Sequence, residues 1–462
     1  MKNSDSYDIL KFFNLRQIFI LMNLLISIFS IGVFIQNERF LILGIMYLFY
    51  FSLLFFVIKI KISLVSLIIL TFMLIRYILI PNMYFTEGTL NVHYNNEIQN
   101  FLHVELFMIY EMSVLFIVLY FTNRKIRKFK IDTQKITYVK SNLSLQNLYF
   151  YILLGLTILL LVIFPNSIRF FNDTPFQEET ISNGYIAIFQ VLLIVSSLTI
   201  IDFFMRYFKN NSVKYLGMIT VLIFLSIFSS FLPTSISRNI FLINALIMFT
   251  FVRYFFKQYY KLSAVMLVVL AVLYFAYITL IKQGLSSDGN ILLDTFKSFS
   301  NYSTLNSYFA GPSNIDIGLR FSSVVGIKPF LIINDIFANS PYISGFIPTN
   351  TVTMFNHFIF RGISNDQIIP LSIQSTIYFS ILFAPLLVGI LSYLSVIYYW
   401  KADKTKCLIT KYTFLYVSFL FSLSQIISLN AISMLIIIRV LPVLAIFYVY
   451  KKIFYKKGSV NV

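Results

Sequence analysis

Twelve stretches of the chain, near residues 17–35, 40–58, 62–81, 101–122, 149–165, 184–205, 214–232, 239–256, 262–281, 372–399, 408–429 and 432–450, are continuous runs dominated by Leu, Ile, Phe and Val. A helical crossing of the hydrocarbon core takes about 20 such residues, so each run is close to spanning length. Lipid offers no partner to a backbone amide, so a spanning segment must satisfy its own as a helix or join a closed barrel. Barrel strands alternate polar and apolar residues, and these runs do not. The expected fold class is all-α: a polytopic integral membrane protein of about 12 transmembrane helices. With 58% hydrophobic and only 12% charged residues, against about 25% charged in soluble domains, a water-soluble globule is excluded.

The net charge of +18 would point to nucleic acid in a soluble protein, but here it is read as topology, with no nucleic-acid partner. Residues 123–148 hold Arg124, Lys125, Arg127, Lys128, Lys130, Lys135 and Lys140 against the single acid Asp132, which the positive-inside rule assigns to the cytoplasm. Counting crossings from that anchor puts the other basic clusters inside, among them Lys59 and Lys61, Lys401 to Lys411, and Lys451 to Lys457. Both termini are then cytoplasmic. The amino terminus lacks a short apolar core with a cleavage site, so the first run is expected to stay as a helix.

The main break in composition is the outer segment 282–371, which holds GLSSDGN, NSYFAGPSN, SPYISGFIPTN and FRGISNDQIIP. It divides the chain into a membrane bundle of nine helices over 1–281, a large extracytoplasmic loop over 282–371, and a bundle of three helices with a cytoplasmic tail over 372–462. Loops of this length are functional or disordered. The loop's apolar, aromatic stretches predict short or re-entrant helices packed on the bundle.

Charge inside the bilayer is costly and by default marks function or a partner. Arg76, Glu105, Glu111 and Arg439 fall within apolar runs. Glu105 and Glu111 lie on different faces of one helix; the first is expected to reach outward, the second to pair with Arg76 or Arg439. On the outer side, Arg169, Arg238, Arg320 and Arg361 each need a reason to be on the translocated face. A guanidinium's planar fork suits a phosphate or pyrophosphate, and Arg238 stands at a predicted helix amino terminus, where the dipole favours anions. Headgroup binding or salt bridges to nearby acids are the structural alternatives. His357, four residues before Arg361, is a candidate proton-transfer group, with Asp316 and Asp366 as acidic alternatives. Loop tyrosines, Tyr308 among them, could stack on sugar rings. The one cysteine, Cys407, excludes an internal disulfide, and no Cys/His cluster has metal spacing. No Walker loop and no Asp-x-Asp pair occur, and neither metal nor cofactor is expected.

SISRNIFLINALIMF, NSYFAGPSNIDIGL and GISNDQIIPLSIQSTIYFSILFAPLLVGIL, set in a many-helix chain with one large late outer loop, resemble the bacterial O-antigen and capsular oligosaccharide repeat-unit polymerases, the Wzy family. The arginine-x10-glycine pattern of some members is absent, since neither Arg238 nor Arg320 has glycine eleven residues on. The resemblance implies a glycosyltransferase of the bacterial inner membrane, acting on oligosaccharide repeat units carried by undecaprenyl pyrophosphate. It also implies a flippase and a chain-length regulator as pathway partners. Arg238 and Arg320 would then hold pyrophosphate, with Arg361 and Arg169 in support and His357, Asp316 or Asp366 as the base. A polysaccharide flippase would have as many helices but short loops, and an O-antigen ligase-type enzyme would share the outer-face chemistry with another acceptor.

The charge pattern makes a direct prediction. In a Cys407→Ser background, Ser286→Cys should react with a membrane-impermeant thiol reagent on intact cells, and Lys135→Cys only after permeabilisation.

Overall fold

The computed structural model describes residues 5–57, 62–87, 97–128, 238–255, 301–338, 349–360, 369–405 and 408–455, with a few single positions besides. The described residues form helices and the turns between them. Five helices are long and apolar enough to cross a membrane, over Gln17–Asn37, Leu64–Thr86, Phe101–Ile126, Ile381–Lys404 and Leu429–Val449. Shorter apolar helices cover Leu41–Phe55 and Leu242–Phe251. The protein is therefore all-helical in its described parts and membrane-embedded. The runs read near 149–165, 184–205, 214–232 and 262–281 lie outside the described residues apart from single positions.

Helix α1 (Asp5–Asn37) ends in a tight turn where Glu38 and Phe40 take positive φ values of 51° and 56°. A bulky side chain seldom adopts that backbone. Phe40 is held there by the rings of Phe34, Phe85 and Phe101, at 6.2, 5.9 and 5.7 Å. The chain returns as α2 (Leu41–Ser52), extended by a π-helical turn, Leu53–Val57. Gly44 makes the close α1–α2 approach possible: a Cβ there would sit 2.9 Å from Ile31.

The next crossing is α3 (Leu64–Leu74), a π-helical turn (Ile75–Leu79) and α4 (Ile80–Glu87) in one run. It lies antiparallel to α5 (Phe101–Lys128), with Ser66 beside Asn123 at one end and Arg76 against Glu111 further along. Helix α6 (Arg238–Phe255) packs on the later helices. Five short helices follow: α7 (Tyr302–Phe309), α8 (Pro312–Val325), α9 (Leu331–Phe337), α10 (Thr351–Phe360) and α11 (Leu371–Phe379). The predicted short helices of the late loop are thus present in its described part.

The single helix read over 372–399 is two. Ser380, at φ 88°, separates α11 from a 3-10 turn and α12 (Ala384–Lys404). The reason is polarity: Ser372, Gln374, Ser375 and Thr376 of α11 are all buried, whereas Ile381, Leu382 and Phe383 are exposed in the manner of a lipid-facing surface. Helix α12 runs parallel to α5, Gly389 fitting against Val114 and Val118. It runs antiparallel to α13 (Leu408–Ser422), where the Ser395 and Ser418 hydroxyls each donate to the other residue's carbonyl at 2.9 and 2.8 Å. The last hairpin turns over 423–428, earlier than the 429–432 expected. Ser428 caps α14 (Leu429–Leu435), which continues through a second arginine-bearing π turn, Ile436–Val440, into α15 (Leu441–Tyr455).

These directions gather the carboxyl ends of α5 and α12 and the start of α13 at one end of the bundle, with Arg124, Lys125, Lys401, Lys404 and Lys411. The short helices α7–α11 and the 423–428 turn occupy the other end.

Arg76 and Glu111, both fully buried, meet at 2.9 Å. Arg76 also donates to the carbonyl of Gln425 and, at 3.5 Å, to the Ser372 hydroxyl. One guanidinium thus ties α3–α4 to α5, to the 423–428 turn and to α11. Glu105, expected to reach outward, is instead buried and accepts from Leu43 N at 3.1 Å. It supplies the amino-terminal cap that Phe40 has no side-chain oxygen to give.

Removing one member of a buried pair leaves an uncompensated charge and costs about 3–5 kcal/mol, whereas replacing both with apolar residues is often close to neutral. Thermal unfolding in detergent should therefore show large destabilisation for Arg76→Met and for Glu111→Leu, and a much smaller loss for the double variant.

Candidate functional site

The short-helix layer is held by two polar clusters. The first sits in NSYFAGPSN. Asn301 caps α7, accepting from Ser303 N at 2.9 Å. The helix ends at Ala310 in a left-handed conformation (φ 51°), with Gly311 N donating to Asn306 O at 2.9 Å. Gly311 is required by space: a Cβ would stand 2.7 Å from both Asn306 Oδ1 and Ile80. Pro312 then opens α8, where a missing N–H costs nothing. Asn306 Oδ1 accepts from Ser313 N at 3.2 Å, and the Tyr302 and Ser313 hydroxyls are hydrogen-bonded to each other. The Gly, Pro, Asn and Ser of this motif therefore build a helix–turn–helix corner.

The second cluster centres on Asp335 of α9, fully buried. It accepts from the backbone N–H of Thr351 at 2.8 Å, from the Thr351 and Tyr378 hydroxyls, and from Asn430 Nδ2 at 3.2 Å. Gln374 donates to Thr351 Oγ1 at 2.6 Å and to Asn430 Oδ1 at 3.0 Å, and its carbonyl accepts from Leu429 N at 2.7 Å. Burial pushes the Asp335 carboxyl up, against the lowering effect of the Thr351, Tyr378 and Asn430 hydrogen bonds. Four helices, α9, α10, α11 and α14, converge on this sealed network, which fits a structural joint and not a reaction centre. The sequence reading gave it no role. Its signal was present in Asp335 as the lone acid of LIINDIF and in the polar SIQST start of an otherwise apolar run.

Chemistry at the surface of the layer falls to α8 and α10. Asp316, almost fully buried, accepts from the backbone N–H groups of Gln99 and Asn100, each at 3.3 Å, just ahead of α5. One helical turn on, Arg320 Nη2 lies 3.1 Å from Asp316 Oδ2, its side chain 38% exposed. The guanidinium is thus anchored at one edge and open at another. Gly318, whose Cβ would be 2.8 Å from Ile373, lets α8 seat closely on α11. The Phe321 ring contacts Phe355 and Phe358 of α10 at 5.3 and 5.5 Å. His357, between them in sequence, is exposed.

Of the predicted site residues, the structure brings Asp316 and Arg320 together and puts His357 on the helix packed against theirs. Tyr308 lies half-buried on α7. Arg238 is the first residue of α6, with its side chain outside the described part. Arg169, Arg361 and Asp366 lie outside the described residues. Among the described residues, no three His, Cys, Asp or Glu side chains converge as a metal site would need. Comparison of the chain with protein-family models, curated proteins and solved structures gave no match.

Asp316→Ala removes the acceptor of two backbone amides and the anchor of Arg320. Losing buried acceptors costs about 1–3 kcal/mol each. Thermal unfolding should show a loss in that range for Asp316→Ala and a much smaller one for Arg320→Ala, whose side chain is partly in solvent.

Proposed function

We propose that the protein is a membrane glycosyltransferase that polymerises lipid-linked oligosaccharide repeat units into O-antigen or capsular polysaccharide at the outer face of the bacterial cytoplasmic membrane. In this reading about twelve helices cross the bilayer, the lysine-rich end of the bundle and both termini are cytoplasmic, and the short-helix layer faces outward. The observation that carries it is the Asp316–Arg320 arrangement: an arginine held half-exposed by a buried carboxylate, in a layer of non-spanning helices at the end of the bundle away from its lysines.

The chemistry follows from what the transfer needs. The bond between the donor's anomeric carbon and the pyrophosphate oxygen breaks, an acceptor hydroxyl oxygen bonds that carbon, its proton goes to a base, and undecaprenyl pyrophosphate departs. Charge grows on the leaving oxygens, so preorganised cations aimed at them lower the barrier. Arg320 takes that role, with Arg238, Arg361 and Arg169 as further cations. Asp316 already accepts two amides and a guanidinium, so it positions Arg320, and proton removal falls to His357 or Asp366. Tyr308 remains a sugar-stacking candidate.

A polysaccharide flippase would line a through-membrane path with polar groups. Arg76 and Glu111, two buried ionisable groups of the described bundle, are instead paired with each other and sealed from solvent, which favours the enzyme.

In a cell whose glycan depends on this chain, Arg320→Ala and Arg238→Ala should abolish long-chain polymer while single repeat units still reach the surface, and Arg320→Lys should restore little because a point charge does not replace a bidentate fork. Gel profiles of surface glycan read all three. Unchanged polymer in both alanine variants removes the arginine assignment, and loss of the single unit as well moves the reading to a flippase or ligase.

A further inference from the structure

Within the short-helix layer, the described residues leave an apolar row uncovered. Along the end of α8 and through α9, Val324, Ile327, Phe330 and Ile333 are 72%, 61%, 60% and 59% exposed, and Phe337 continues the row. Phe330, just ahead of α9, and Ile333 and Phe337 within it recur at helical spacing on one face, while Leu331 and Asp335 on the other are buried. This segment is short, so length alone does not mark it as membrane-seated.

Its attachment does. Lys328 N donates to Ile377 O at 2.7 Å, near the end of α11. Exposed Phe379, Ile381, Leu382 and Phe383 follow directly and lead into Leu386 and Ile390, also exposed, on the spanning helix. The α8–α9 surface is thus joined to the start of a candidate membrane span. The charges agree: between residues 320 and 338 the chain carries Arg320, Lys328 and one acid, Asp335, which is buried. An apolar face flanked by cations is the pattern of a helix lying in the interface.

We propose that residues 324–337 form a shelf resting in the bilayer interface, its apolar row against acyl chains, alongside the outer end of α12. The shelf stands whether or not the chain is a glycosyltransferase.

The test uses the full chain with its one tryptophan removed (Trp400→Phe), a new tryptophan at Phe330 or Ile333, and reconstitution into vesicles of ordinary or acyl-brominated phosphatidylcholine. Ile390→Trp serves as the lipid-facing control. Fluorescence at 330 and 333 should fall in brominated lipid as it does at 390, and aqueous iodide should quench neither. Quenching by iodide without quenching by brominated lipid would put the row in water. Resistance to both would mean that protein, another segment or a second copy, covers it. Either result overturns the shelf.

Discussion

The Arg76–Glu111 pair is the constraint on which the described bundle turns. Two charges inside an apolar bundle are tolerable only when they neutralise each other and their remaining polar atoms find partners. Arg76 meets part of that demand by reaching the Gln425 carbonyl and the Ser372 hydroxyl besides its carboxylate, while its Nε is buried without a hydrogen-bond partner. Three other segments, α5, α11 and the 423–428 turn, converge on its two terminal nitrogens. Its position in a π-helical turn, a widened turn often found at specialised sites, belongs to the same arrangement.

The same logic recurs at helix ends. The Glu105 carboxylate receives Leu43 N at the start of α2; Asp316 receives Gln99 and Asn100 just before α5; Asp335 receives Thr351 at α10; and Gln374 receives Leu429 at α14. Water caps such groups in a soluble protein, but a buried amide must be answered by protein. Each of these four helix starts therefore receives a polar residue distant in sequence, and such side chains specify which helices are neighbours. The Leu, Ile and Phe around them fill space that many apolar residues could fill.

This division explains what could be read from the chain alone. Apolar runs are a one-dimensional signal, so the apolar helices α1, α2, α3–α4 and α5 stand where the runs are, and Glu111 was expected to pair with one of two arginines. The short helices between 302 and 337 were legible because their apolar, aromatic content is too high for disorder. What escaped was pairing at a distance. Glu105 looks like a residue reaching for solvent until Leu43 lies opposite. The run from 372 to 399 looks continuous because Ser380 is an ordinary residue whose left-handed backbone is imposed by what α11 must bury. Asp335 and Gln374 make no local motif; only the fold brings them together. For the candidate site, the Asp316–Arg320 spacing of four was visible, but the amides that occupy Asp316 and redefine its role were not.

Arg76 also sets an order of assembly. Its carbonyl acceptor, Gln425, lies 349 residues downstream, so during synthesis the arginine enters the bilayer long before that partner exists. Glu111, on the very next described helix, neutralises it in the interval. The early helices can thus wait in lipid as a hairpin whose arginine is already paired, holding a donor ready for the last turn of the chain to arrive and lock.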